Sequence, residues 1–286
     1  MTATKTFVMR HPVVIYFVLT FLISWGGILV VLGPGAFTGA TAPTEGLLPL
    51  VFLAMFAGPS VAGILMTGLV SGKAGFHDLR SRLFRWRVDV RWYVVALLTA
   101  PLGVTAVLLP LSLGSAGFLP ALFASDDKVS LLVFGLAAGL MTGLCEELGW
   151  TGFVIPRLRR RHGILTTGLI VGLLWGAWHF PLFSGGDVSE EVPLALFLPV
   201  QLLTFLPAYR VLMVWVYDRT GSLLVAILMH VSLTATTLIL QPLDVAGMRA
   251  LTYDLVLAAT LWLLIAALAM ANGRQLSRPP LRPRVA

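Results

Sequence analysis

Eight apolar stretches of roughly 20 residues each leave this chain no route to a water-soluble fold. They run over Val13–Leu32, Leu47–Val70, Trp92–Leu113, Val129–Ile155, Ile164–Phe183, Leu194–Tyr217, Ser222–Leu240 and Thr252–Met270. A run of that length is what one helix needs to cross the hydrocarbon core. Only helices and closed barrels satisfy every backbone polar group there. Composition supports this: 58% of the residues are hydrophobic and 12% charged, against roughly 25% charged in soluble domains. The same balance excludes intrinsic disorder, and a single cysteine excludes a disulfide scaffold. The predicted class is all-α, a polytopic membrane protein with eight transmembrane helices.

The net charge of +7 reads as topology rather than as nucleic-acid affinity. With the N-terminus inside, seventeen of the twenty Lys and Arg residues fall on one side. Lys128 and Arg249 fall on the other, with the acidic stretches Asp126-Asp127, Asp187 and Glu190-Glu191, while Arg210 lies inside the sixth stretch. This asymmetry predicts cytoplasmic termini at both ends. Residues 1–272 form a single membrane domain, followed by a basic, proline-rich tail over 273–286. The expected partners are membrane lipids and no nucleic acid. The preponderance of arginine over lysine suggests a GC-rich bacterial source, hence a bacterial plasma membrane. Phe76, Leu79, Leu83 and Trp86 recur at helical spacing among Arg80, Arg82, Arg85 and Arg87. They read equally well as an interfacial helix on an anionic leaflet or as a basic topogenic loop.

Ionisable groups inside a bilayer are costly, so each is a functional candidate. Those within the apolar stretches are Glu146-Glu147, His179 and His230, on three different helices. Arg210 and Asp254 lie close enough to predicted helix ends to snorkel. His11, His77 and His162 fall in cytoplasmic segments, and Cys145 reads as a small buried hydrophobe. Gly135, Gly139 and Gly143 form a stripe continued by Glu147 and Thr151; Gly168, Gly172 and Gly176 form another, leading to His179. Small-residue stripes let helix backbones approach closely, which would bring these polar groups to interfaces. Trp175 and Trp178 read as packing aromatics.

The run Glu146-Glu147-Leu148-Gly149-Trp150-Thr151, with Trp175 through His179 and then His230, resembles the CPBP family. This is the CAAX protease and bacteriocin-processing, or Abi, group of intramembrane proteases. Its motifs are EExxxR, an aromatic followed four residues later by His, and HxxxN, found here in order on separate predicted helices. Thr151 stands where the family has arginine, and Thr234 where it has asparagine.

The resemblance implies an intramembrane endopeptidase acting on hydrophobic or lipid-modified peptides. Glu146 would be the general base and His179 would help to hold the attacking water. His230 and Thr234 would face the oxyanion, with Trp175 in support. Glu147 would orient the site or ligate a metal. Two histidines and a glutamate match the inventory of a catalytic zinc site, so Glu147, His179 and His230 are the expected ligands if zinc is present. A metal-free mechanism uses the same residues. Without the family's arginine, Glu147 is expected to be protonated. Two other classes fit the same residues: an inactive immunity or scaffold protein of this fold, and a proton-coupled transporter.

Overall fold

A computed structural model describes residues 3–183, 192–243 and 245–271. The expected acidic stretch at Asp187 and Glu190-Glu191, Asn272 and the tail over 273–286 lie outside the described residues. Those described are predominantly helical, with no strand among them. The principal helices are α1 (Pro12–Leu32), α2 (Leu48–Leu83), α3 (Val90–Gly114), α4 (Lys128–Gly149), α5 (Ile164–Trp178), α6 (Leu194–Leu203), α7 (Phe205–Thr220), α8 (Leu223–Leu240) and α9 (Gly247–Ala271).

Among the described residues, seven helical segments are long and apolar enough to cross a membrane. The fifth expected stretch, Ile164–Phe183, differs. It is α-helical only through Trp178, and a separate short turn covers Phe180–Phe183. Its 15 residues reach about 22 Å, short of the ~30 Å hydrocarbon core. α5 alone is thus shorter than a full crossing, and it ends at His179, where the short Phe180–Phe183 turn takes over. The sixth stretch is also divided: a turn at Thr204 separates α6 from α7.

The glycine stripes set the contacts that matter. A Cβ on Gly139 would come within 2.7 Å of the Val231 carbonyl, and one on Gly143 within 3.0 Å of the Ile227 carbonyl. Any larger residue would push α4 off α8, so glycine is needed for this approach. The second stripe works the same way. A Cβ on Gly168 would lie 2.6 Å from the Val211 Cα, and on Gly172 2.5 Å from the Pro207 Cα, closing α5 against α7. Together they draw α4, α5, α7 and α8 round one point.

The basic segment after α2 is helical to Leu83, beyond a break at Gly72, whose φ of 55° only glycine adopts readily. Phe76, Phe84 and Trp86 are exposed, whereas Leu79 is buried with Leu223, Ile227 and Val231. Arg82 donates to the Gly152 carbonyl and the Tyr217 hydroxyl, each at 2.9 Å. The segment is thus a helix docked on the bundle, not a loose loop.

Candidate active site

Where α4 ends, the chain passes through a widened π-helical turn, Trp150–Val154. Such turns carry i→i+5 hydrogen bonds and are frequent at functional sites. Here Gly149 sits against Tyr16, Pro59 and the backbone of Gly63, leaving no room for a side chain. Everything in the turn is buried. It presents two side chains back to the paired acids: the Trp150 indole reaches Glu146, and the Thr151 hydroxyl reaches Glu147.

Glu146 and Glu147 are both buried, but they serve different surroundings. Adjacent helical residues point about 100° apart, so the two carboxylates cannot share one pocket. Glu146 lines a cavity of about 230 Å³ together with Trp175, Trp178, His179, His230 and Thr234. Its Oε2 accepts from Trp150 Nε1 at 3.1 Å and from Trp175 Nε1 at 2.7 Å. Its Oε1 has no hydrogen bond among the described residues. Two indole donors on one oxygen lock the carboxylate while leaving the other oxygen for a ligand or water.

Glu147 is turned away from the cavity and saturated. Its Oε1 accepts from Arg210 Nη1 at 2.7 Å and pairs with His230 Nδ1 at 2.7 Å, while its Oε2 accepts from Thr151. Three donors, one of them a guanidinium, are the partners an ionised carboxylate demands in a dry interior. This corrects the expectation of a protonated Glu147. The cation missing at position 151 is supplied across the bundle by Arg210 on α7.

Arg210 is also a correction. It does not snorkel: it is fully buried, with its guanidinium 4.1 Å over the ring of Trp175. A signal was available, since ten residues separate it from the end of α7 at Thr220. That is about 15 Å of helix, too deep for the side chain to reach the surface. Arg157 is not a substitute; it donates to the Phe153 carbonyl at 2.8 Å and to Ser71 at 3.1 Å. Asp254 does not snorkel either, being 7% exposed and on the cavity wall.

Trp175 does more than pack. Its indole holds Glu146, its face carries Arg210, and its carbonyl lies 2.8 Å from His179 Nδ1. A carbonyl can only accept, so His179 Nδ1 bears the proton and its Nε2 has a free lone pair. The same reasoning applies to His230. Nδ1 faces the Glu147 carboxylate, so Nδ1 donates and Nε2 is the free nitrogen. That Nε2 lies 4.0 Å from Glu146 Oε2, beyond a direct hydrogen bond. Both histidines thus offer basic nitrogens near a carboxylate.

The expected zinc ligands do not form a set. Glu147 has both oxygens engaged by protein donors. Among the described residues, no three His, Cys, Asp or Glu side chains are placed to hold a metal ion. The trio Glu147, His179 and His230 does not fit zinc. Cys145 lies off the cavity, its thiol 3.9 Å from Met141 sulfur. His11 and His162 lie far from these residues, in a separate cavity lined by Arg157, Arg160 and Arg161.

The site residues fall within the part of the chain that resembles known proteins. Residues 128–236 match the family described as Type II CAAX prenyl endopeptidase, Rce1-like. The chain is also 24% identical, over 185 residues, to CAAX prenyl protease 2 of Methanococcus maripaludis. The aligned stretch covers 62% of this chain and 65% of that relative, just under two thirds of its length. Every residue of the cluster, from Glu146 to Thr234, lies between 128 and 236. The resemblance to the CPBP family, drawn from three short motifs, is borne out.

Proposed function

We propose that this CPBP-type membrane protein is an intramembrane endopeptidase that hydrolyses peptide bonds of hydrophobic substrates by a glutamate-activated water. One observation carries the reading. Glu146 is pinned through Oε2 by two indoles, and its other oxygen opens on a cavity that also holds His179, His230 and Thr234.

A water between Glu146 Oε1 and His179 Nε2 would be held by two acceptors, with its lone pair free for attack. As its oxygen bonds to the peptide carbonyl carbon, one proton passes to Glu146. The carbonyl becomes an oxyanion, which the Thr234 hydroxyl can meet with a hydrogen bond. His230 can do so only when Nε2 also carries a proton. Glu147, bonded to Nδ1, favours that imidazolium and fixes the ring, the part a buried carboxylate plays beside a catalytic histidine. Glu146 then returns its proton to the departing amine nitrogen as the C–N bond breaks. Carboxylic acid and amine leave, and the glutamate is again a base. Each of these steps uses side chains alone.

The substrate's chemistry follows from the surroundings. The cavity is bounded largely by Phe52, Met55, Phe56, Leu182, Phe205 and Leu257, which suit an apolar peptide. The relative's name is that of a CAAX prenyl protease; a bacterial plasma membrane protein would take other hydrophobic or lipid-modified substrates.

Purified protein in detergent, incubated with a quenched-fluorescent hydrophobic peptide library, tests the reading. Glu146→Gln keeps the shape but cannot accept a proton, and should lower turnover roughly 100-fold or more. Activity should persist in chelator. An inactive scaffold would cleave nothing, and a transporter would show proton-coupled flux without cleavage. Full peptidase activity in pure Glu146→Gln protein would overturn the mechanism.

A further inference from the structure

The cavity that holds the reacting groups also carries an acid the chemistry does not need. Asp254, on α9, lines the same cavity as Glu146 and is 7% exposed. It has no ion-pair or hydrogen-bond partner among the described residues. Two neighbours on the wall are in the same condition. The Tyr253 hydroxyl and the Gln201 Oε1 are buried without partners. Leu202, Leu238 and Leu257 line the wall around them, with the neutral Thr237 and Gln241.

A lone carboxylate among apolar helices is expensive unless a counter-charge reaches it. No arginine or lysine stands on the cavity wall, whose other ionisable members are Glu146, His179, His230 and Tyr253. Asp254 and Gln201 Oε1 both accept hydrogen bonds, so what they lack is a donor. A cationic side chain would supply both the donor and the charge.

Depth relates this group to the reaction centre. Asp254 lies seven residues into α9 from Gly247, and Thr234 lies six residues before the end of α8 at Leu240. Both are therefore about 10 Å from the turn joining these helices. Thr234 is one helical turn, about 6 Å, from His230. An extended peptide advances about 3.3 Å per residue, so a side chain one or two residues from the scissile bond can reach that level.

We propose that Asp254, with Gln201 and Tyr253, forms a specificity subsite that takes a lysine or arginine side chain of the substrate, one or two residues from the cleaved bond. This rests on the peptidase reading, and it distinguishes the substrate from a wholly apolar peptide.

The test uses hydrophobic decapeptides carrying a single lysine or norleucine, scanned through each position. Cleavage is measured with the wild-type chain. Binding is measured with Glu146→Gln protein, by tryptophan fluorescence, so that recognition is read apart from hydrolysis. At one position near the cleaved bond, lysine should be favoured over norleucine by about tenfold or more, because a site built for a hydrogen-bonding group rejects its isostere. Asp254→Asn, which preserves shape, should collapse that ratio to about twofold or less, and Asp254→Lys should favour a glutamate peptide instead. Lysine-selective binding without cleavage would keep the subsite and reject the peptidase. Cleavage with equal lysine-to-norleucine ratios in wild type and Asp254→Asn would reject the subsite and keep the peptidase. A uniform loss on all peptides in Asp254→Asn would make the residue a proton carrier or a structural acid, and would also overturn the proposal.

Discussion

Arg210 and Glu147, on helices α7 and α4, form an ion pair of 2.7 Å with both side chains wholly buried. Neither partner can be solvated if the other is lost. Removing one member of such a pair typically costs about 3–5 kcal/mol, because the survivor is left charged in a dry site. Arg210→Met should therefore lower the melting temperature in detergent and abolish most activity. Arg210→Met combined with Glu147→Gln should be milder than the sum, since the orphaned charge is gone. A double-mutant cycle on thermal stability measures this, and additive losses would contradict the pairing.

Thr151→Arg places a cation one turn from Glu147, where the family motif has it. In the wild-type background the position is buried and Arg210 already fills the role. Overpacking and like-charge repulsion should then reduce expression and activity. In an Arg210→Met background the same substitution should recover part of the lost activity, since it restores a charge-assisted hydrogen bond to Glu147. Peptide turnover in the four combinations is the measurement.

The indoles on Glu146 should be separable from their bulk. Trp150→Phe and Trp175→Phe keep a ring but remove the N–H. Hydrogen bonds to a charged group contribute about 1.5–3 kcal/mol, so each change should slow turnover by roughly tenfold or more with modest effect on KM. Trp175→Phe should be the more severe, because Trp175 also carries Arg210. Equal effects of both would argue against that second role.

The glycine contacts make a stability prediction. At Gly139 a methyl group would meet the Val231 carbonyl, a backbone atom that cannot swing away. Gly139→Ala should destabilise the protein by about 1–3 kcal/mol through overpacking. Gly26→Ala is the control, because nothing lies within 4 Å of the new carbon. Thermal denaturation of the two variants should diverge clearly.

Topology is open to direct measurement. Reporters fused after Arg91, Arg161 and Arg284 should be cytoplasmic, and one near Asp187 external, from the distribution of basic residues. The buried 2.8 Å pair between Arg159 and Asp218 fits this, since it binds the end of the fourth apolar segment to the end of α7 on one side. An external signal at Arg161 would reverse the arrangement.

How much of this was legible beforehand depends on the range of each interaction. Chain-local properties carried far. Apolar runs determined the helical membrane class, because the cost of unsatisfied backbone in lipid admits few alternatives. The four-residue glycine spacing gave the faces along which α4 and α5 pack, since spacing on a helix is geometry. The paired glutamates and two histidines named the site, because ionisable groups at depth need a reason. Even the Thr151 contact to Glu147 is an i, i+4 relation that a helix dictates.

What the sequence left undecided was every pairing between helices. Arg210 stands sixty-three residues from Glu147, and nothing in its neighbourhood names its partner. Trp175 looked like any packing aromatic until its indole was found on Glu146, twenty-nine residues away. The short reach of α5, the division of the two acids between cavity and interior, and the unpartnered state of Asp254 are of the same kind. Each depends on which helix stands opposite and how closely it approaches. Pattern and composition set what a residue can do, but ion pairing and hydrogen bonding fall away within a few ångströms. Only the assembled bundle decides which of those capacities meet.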